Sequence, residues 1–380
     1  MARHPRQAIV RAAEASLSTS RSLAAAEPFI TPVAVVDEVV MERNLARMAK
    51  LAADRQVRLR PHAKTHKSSE VARRQMAHGA VGLTAATMTE AETFAGAGVD
   101  DLLIAHPPVG EVKLRRLAAL ADRVRRLAVS LDAVEVAQAL PARVEVFWEI
   151  DPGQHRVGTT PGAATVAAVK RLVEAIGPER FRGLITHAGH SYGATDQAGR
   201  QRAADQETEG VLSTAALLKD AGIVVREISI GSTPTAGLSL RPGITEMRPG
   251  TYVYGDANQA TLGSQRLEDC ALVVVATVVS TPAPDRAVID AGSKTLSADL
   301  RVSGLDSWGI VLDHPTLKVA RLSEEHAVLT AEGETGLRIG DRLAILPTHA
   351  CTTVNLNPAM LIASADGGSR WQPVDARGWQ

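Results

Sequence analysis

The sequence predicts an α/β protein in two parts: a (β/α)8 barrel of the TIM type, then a mainly antiparallel β domain. Three observations carry this expectation. Short apolar strands alternate with helices about eight times between residues 58 and 247, the pattern of a parallel sheet. Polar residues gather just after the strand ends, where barrel enzymes keep their chemistry. After about Gly263 helical periodicity nearly vanishes and turns become frequent, as in all-β domains.

Taken in order, residues 1–28 are Ala- and Arg-rich, with Ser16-Leu17-Ser18-Thr19-Ser20 inside them. They lack an apolar signal-peptide core, and Glu14 and Glu27 depart from a transit peptide, so a flexible extension is expected. Pro32 to Asp37 reads as a strand that joins the later β domain. Glu38 to Ala53 places Val39, Val40, Leu45, Met48 and Leu51 at near-helical spacing. The barrel strands then read as the basic stretch from Arg58 to Lys67, Ala80–Ala85, Asp101–Ala105, Arg126–Leu131, Val144–Ile150, Phe181–Thr186, Val224–Ile230 and Gly243–Met247. Helices fall at Ser68–Ala77, Thr89–Ala95, Val112–Ala121, Ala133–Leu140, Pro161–Ile176, with Pro at the first helical position, and Asp196–Asp220. Lys64, Thr87, His106, Asp132, Arg156, His187, Gly231-Ser232-Thr233 and Arg248 to Tyr252 all lie just past strands. In a barrel they share one mouth; in the rival open doubly wound sheet most would be too scattered to meet. Ala271–Val279, Val288–Asp290, Ala327–Leu329 and Leu343–Leu346 are strands of the second domain. The expected division is 1–28, a barrel over 38–263, and a β domain made of 29–37 with 264–380.

Composition narrows the partners. Of 380 residues, 45% are hydrophobic but only 3% aromatic, so Ala, Val and Leu must fill the core. Lys+Arg and Asp+Glu both total 42, and this zero formal balance argues against nucleic acid or an anionic membrane as the main partner. No apolar run is long enough to span a bilayer. Two cysteines, Cys270 and Cys351, make no disulfide framework, and a cytoplasmic location is expected.

Several stretches carry candidate chemistry. Read as one strand, Arg58 to Lys67 puts Arg58, Arg60, His62 and Lys64 on one face. Like charge disfavours the ammonium form, so Lys64 becomes a candidate for Schiff-base chemistry; a solvated basic edge is the plainer reading. Gly231-Ser232-Thr233 and Arg248-Pro249-Gly250-Thr251-Tyr252 come after the last two strands, the usual phosphate site of barrels, although Gly-Ser-Thr also suits a simple turn. Arg156 is placed to reach a phenolate or carboxylate at the mouth, or to pair with Asp151. His187 is placed to stack on an aromatic ring, and Tyr192 to lend a hydroxyl. In the second domain His349-Ala350-Cys351 would point imidazole and thiolate the same way if extended, and both are Zn2+ ligands. Two protein ligands leave open positions for water or substrate.

Together these motifs resemble the fold-type III pyridoxal-phosphate enzymes of the D-serine dehydratase and D-threonine aldolase family, related to alanine racemase. The likeness runs from about Thr31 to near the C-terminus. It implies the cofactor on Lys64 within Arg60-Pro61-His62-Ala63-Lys64-Thr65-His66-Lys67, Arg156 on the phenolic oxygen and His187 on the pyridine ring. It implies a phosphate held by Gly231, Ser232, Thr233, Gly250, Thr251 and Tyr252, and a divalent metal on His349 and Cys351. Zn2+ is the first choice of metal, with Mn2+, Mg2+ or Co2+ as alternatives. Asp290-Ala291-Gly292-Ser293-Lys294 and Ser323-Glu324-Glu325-His326 resemble landmarks of the family's β domain.

The expected activity is that of a lyase on β-hydroxy D-amino acids. The resemblance pairs His-x-Cys with dehydratases and His-x-Asp with aldolases, so dehydration to a 2-oxo acid and ammonia leads. Retro-aldol cleavage to glycine and an aldehyde is the alternative, followed by an amino-acid racemase and a non-catalytic pyridoxal-phosphate carrier. The family also implies a homodimer with shared active sites; whether the metal pair serves its own barrel or the partner's lysine stays open in the sequence.

Overall fold

The computed structural model describes residues 29–378, so the Ala- and Arg-rich start read as an extension lies outside them. The chain forms two compact units, Ala46–Gly250 and residues 29–45 with Thr251–Arg377. First come β1 (Val33–Asp37) and α1 (Glu38–Asp54), within which the boundary between the units falls. Asp37 caps α1, accepting the Val40 N–H at 3.0 Å.

The first unit alternates strand and helix: β2 (Arg58–Leu59), α2 (Ser69–Ala77), β3 (Leu83–Ala85), α3 (Met88–Gly96), β4 (Asp101–Ile104) and α4 (Glu111–Ala121). It continues with β5 (Arg126–Leu131), α5 (Val134–Gln138), β6 (Glu145–Ile150), α6 (Ala163–Ile176), β7 (Phe181–Thr186), α7 (Gln197–Asp220), β8 (Glu227–Ile230) and β9 (Glu246–Met247). The eight strands are parallel, in the order β2-β9-β8-β7-β6-β5-β4-β3. The two end strands are linked too. His62 and Thr84 form a parallel bridge, and Thr84 N–H donates to Pro61 O at 2.8 Å. Strands such as Leu127–Leu131 and Val146–Ile150 are buried residue after residue, because a parallel sheet is covered on both faces. Helix α6 buries Thr165, Ala168, Val169, Leu172 and Ile176, one stripe at helical spacing. Helix α3 starts on a Thr87 cap, and Glu90 reaches back to the Ala86 N–H at 2.6 Å.

Two local expectations are corrected. The basic stretch is not one alternating strand: only Arg58–Leu59 is extended, and Ala63–Thr65 is a 3-10 turn. Arg58, Arg60, His62 and Lys64 therefore share no face. Arg58 pairs with Glu227 at 2.8 Å, while Arg60, 1% exposed, lies between Glu246 at 2.9 Å and Asp101 at 2.7 Å. Carboxylates, not a bound anion, offset the burial of those arginines. Pro161 does not open α6 either; Gly162 caps the helix and Ala163 begins it.

The second unit adds α8 (Ala257–Leu262), β10 (Leu272–Ala283), β11 (Arg286–Ile289), α9 (Ser293–Leu296), β12 (Gly309–Val311), β13 (Lys318–Leu322) and β14 (Ala327–Thr330). It ends with β15 (Arg342–Pro347), α10 (Ala350–Leu356), β16 (Ala359–Ala363) and β17 (Ser369–Pro373). Its sheet runs β11-β14-β13-β12-β15-β10-β1-β16-β17, and β10 also pairs with β11, closing six strands into a ring. Strand β10 explains the long apolar run: Val274, Ala276 and Val278 face one core, Val273 and Val275 another. The early strand joins this sheet, with Val33 opposite Val275 and Val35 beside Leu361. Strands β12, β13, β16 and β17 were not anticipated; β13 and β17 are polar on one face and lack an apolar run. Among the described residues no helix is long and apolar enough to cross a membrane.

Candidate active site

At the C-terminal ends of the parallel strands lies a cavity of about 370 Å³. Each wall comes from a segment that ends a different strand or comes just after it. His62 and Lys64 come after β2, Ala86 after β3, and Ala105, His106 and Pro107 after β4. Glu149 is the penultimate residue of β6, Arg156 and Val157 lie past it, and Ile185 lies in β7 with His187 just after it. Gly231 and Arg248 complete the ring from β8 and β9. Lys64, Arg156, His187 and Gly231, four of the residues singled out in the sequence, thus meet in one space.

Local packing sets Lys64. Its N–H faces the His62 ring nitrogen at 3.5 Å, starting the 3-10 turn. Gly250 closes on the same turn; a Cβ there would lie 2.9 Å from Thr65 Oγ1 and 3.0 Å from His62 O. His187 Nδ1 donates to Gly231 O at 2.6 Å, which orients the ring. Burial, reinforced by the Lys64 and Arg156 charges, pushes His187 down to about 3, so the imidazole is neutral. Burial and the same cations, with Arg248, hold His62 well below its ordinary value.

Arg248 is buried, and its guanidinium donates to Ser229 Oγ at 2.6 Å and Thr186 O at 2.7 Å. Glu149 accepts a short hydrogen bond from Ser130 Oγ, and burial raises its carboxyl above the usual range. Behind the wall, buried Glu207 accepts from Ala188 N, Gly231 N and Ser239 Oγ. Ser232 and Thr233 are buried just after Gly231, and Ser232 Oγ lies 2.9 Å from Thr235 Oγ1. Asp151 does not pair with Arg156. Its carboxylate accepts the N–H groups of Gly153, Gln154 and His155 and so shapes the loop. Tyr192 sits half-buried on the Gly189–Gly193 turn and is not among the residues lining the cavity.

His349 and Cys351 belong to the other unit. The His-x-Cys segment is not extended, contrary to expectation: His349 caps α10 and Cys351 lies in its first turn. The side chains still meet. His349 is hydrogen-bonded to Cys351, and its Nδ1 lies 2.6 Å from Asp299 Oδ2. Burial opposes the charge on His349, but its interactions with Cys351 and Asp299 outweigh it and raise the imidazole. Thr251 and Tyr252 form a buried 3-10 turn in this unit, with Thr251 Oγ1 3.8 Å from Cys351 Sγ. Among the described residues no group of three or more His, Cys, Asp or Glu is arranged around a metal position.

Comparison with known proteins decides the family. A model of the alanine racemase N-terminal domain matches residues 36–258, and one of a serine dehydratase domain matches 271–363. D-threo-3-hydroxyaspartate dehydratase of Delftia sp. strain HT23 is 36% identical over 92% of this chain and 98% of its own. The chain belongs to the alanine racemase-like D-serine dehydratase and D-threonine aldolase family. Its members are pyridoxal-phosphate-dependent lyases. Another relative, D-threonine aldolase of Arthrobacter sp., is 32% identical over 92% of this chain and 93% of its own. The crystal structure of D-threonine aldolase from Filomicrobium marinum superposes with a TM-score of 0.84 at 33% identity, covering 92% of this chain and 95% of that one.

The cavity fits the family's cofactor. A lysine, two guanidinium groups and two neutral imidazoles surround a space that Gly231 also lines. That donor set suits an anionic, phosphorylated aromatic aldehyde. His349 and Cys351 offer the nitrogen and sulfur that suit a borderline-soft divalent ion. Sequence reasoning named His62, His106 and Arg248 without a role and passed over Glu149 and Glu207. Glu149 sits at the end of an apolar strand, Val146-Phe147-Trp148-Glu149-Ile150, and a lone carboxylate there was a usable signal. Glu207 lies in a charged helix and offered none.

Proposed function

We propose that this chain is a pyridoxal-phosphate- and metal-dependent lyase that dehydrates β-hydroxy D-amino acids to a 2-oxo acid and ammonia. The observation that carries the reading is Lys64 sharing one cavity with Arg156, His187 and Gly231. The parallel sheet is read as a complete (β/α)8 barrel, supported by the His62–Thr84 link between its end strands.

Lys64 would hold the cofactor through Nζ and, once released, take the substrate's Cα proton. Arg156 would bind the phenolic oxygen, and the neutral His187 ring would pack on the pyridine face. Gly231, Ser232 and Thr233, with Gly250, Thr251 and Tyr252, would hold the phosphate. Bound, pyridoxal phosphate supplies an electron sink for the Cα carbanion. His349 and Cys351 would hold a divalent ion, Zn2+ first by ligand type, which supplies a Lewis acid for the β-hydroxyl. Two free cysteines, one of them a proposed ligand, suit a reducing cytoplasm. A homodimer with shared sites belongs to the same proposal.

The dehydratase choice rests on His349-Ala350-Cys351. Its test is product analysis with D-serine and D-threonine: pyruvate or 2-oxobutyrate with ammonia is expected, whereas glycine with acetaldehyde would establish the aldolase reaction instead. Borohydride reduction and then peptide mapping should place a pyridoxyl adduct on Lys64.

A further inference from the structure

The turn that carries Lys64 is fastened to β3 on both sides. Before it, His62 and Thr84 form a parallel bridge. After it, the Lys67 ammonium lies 3.2 Å from Glu90 Oε1. The other oxygen, Glu90 Oε2, accepts the N–H of Ala86, the residue that follows β3, at 2.6 Å. Ala86 lines the same cavity as Lys64. Two features go beyond the capping of α3 by Glu90. First, Glu90 is buried and its Oε1 makes no hydrogen bond; among the described residues the Lys67 ammonium is its only close counter-charge. Second, Lys67 has φ +48°, a left-handed conformation that a Cβ disfavours, while its N–H donates to Ala63 O at 2.9 Å. Glycine would adopt that backbone without strain, so the side chain is what the position gains.

We propose that Lys67 and Glu90 are positioning residues for Lys64. Their buried ion pair fixes the second flank of the turn to the cavity wall and so sets where Nζ stands for cofactor attachment and proton transfer. The inference rests on the reading of Lys64 as the cofactor lysine. Neither residue of the pair lines the cavity, so the pair acts through the backbone of residues 64–67. A turn held on one side only would be free to swing about the His62–Thr84 link. Small misplacements of a reacting atom are costly in rate, and rigid support around it is what prevents them.

The test uses the full chain in two variants. Lys67→Gly combined with Glu90→Gln removes both charges and the backbone strain together, so the fold keeps no unpaired buried charge. Lys67→Arg keeps the pair. Each protein is mixed with pyridoxal phosphate and quenched with borohydride over time, which gives the rate of attachment at Lys64. Steady-state kinetics on D-serine or D-threonine then separate kcat from KM. The double variant is expected to attach cofactor about tenfold more slowly and to lose about tenfold in kcat, with KM within about twofold. Its urea midpoint should stay close to the parent's, and Lys67→Arg should keep most of both rates. Unchanged attachment and kcat in the double variant overturn the proposal, as does a loss confined to the urea midpoint. Attachment needs no turnover, so it still decides the matter if the lyase reading fails. A parent chain that gives no adduct on Lys64 overturns the cofactor reading and this proposal together.

Discussion

The Glu207 carboxylate accepts the backbone N–H of Gly231 at 3.2 Å, and the same oxygen accepts that of Ala188 at 3.1 Å. Ala188 is next to His187, and Gly231 opens the Gly-Ser-Thr loop. One buried side chain on α7 therefore ties two walls of the cavity to each other. Glu207→Leu strands both N–H groups and the Ser239 hydroxyl, at a cost of roughly 2–4 kcal/mol. It should also weaken pyridoxal phosphate binding by about tenfold. Glu207→Gln keeps the shared acceptor and should lose much less. Denaturant unfolding and absorbance titration with cofactor measure the two effects; equal losses in both variants would show that the shared oxygen is not what matters.

Arg60 and Arg58, two residues apart, should respond very differently to removal. Arg60→Met leaves fully buried Glu246 without its ion-pair partner, while Asp101 keeps Arg125 and Arg126, and should destabilise by about 3–5 kcal/mol. Arg58→Met leaves Glu227 with Arg126 and Arg182 and should cost under about 1 kcal/mol. Urea midpoints for the two variants check the ordering.

His66 makes stability depend on pH. Burial lowers it from 6.5 to about 4, partly offset by hydrogen bonds with Gln75 and the Ser68 N–H. The folded value lies below the unfolded one, so the neutral ring is the stabilising form. Its contribution is complete above about 6.5 and is lost as pH falls toward about 4; the whole span is worth about 3 kcal/mol. His66→Gln should therefore lose less stability than the parent chain between pH 7 and 4.5. Parallel slopes in that window would sink the assignment.

Asp299 holds His349 by Nδ1, so on the proposed metal role Nε2 would be the nitrogen that binds. Asp299→Ala should lower divalent-ion affinity by about 10–100-fold while His349 and Cys351 remain. Metal content after dialysis reports this directly. Chelator should abolish turnover in the parent chain, and added Zn2+ should restore it.

Much of the architecture was legible because it is written in local pattern. Eight apolar segments separated by helical periodicity specify strands and helices within short windows. Eight strands appear in parallel pairing, the first of them cut down to Arg58–Leu59. The motif residues Lys64, Arg156, His187 and Gly231 were legible for a related reason: each lies just past a strand, and parallel strands deliver their trailing loops to one end of the sheet. The same reasoning failed where local pattern competes with backbone restriction. Alternation predicted one strand from Arg58 to Lys67, but Pro61 lacks an N–H for the ladder, and the chain turns into the 3-10 segment bearing Lys64. His349-Ala350-Cys351 likewise meets at a helix start rather than along a strand.

By itself the sequence determined the alternation of elements, the strand ends that carry chemistry and the His-x-Cys pair. Tertiary structure alone decided which distant groups neutralise or hold one another: Arg60 with Glu246, Glu149 with Ser130, and Glu207 with Gly231. The reason is physical. Strand and helix propensity acts over a few residues, whereas a buried charge is tolerated only through partners that the folded chain brings from far along its length.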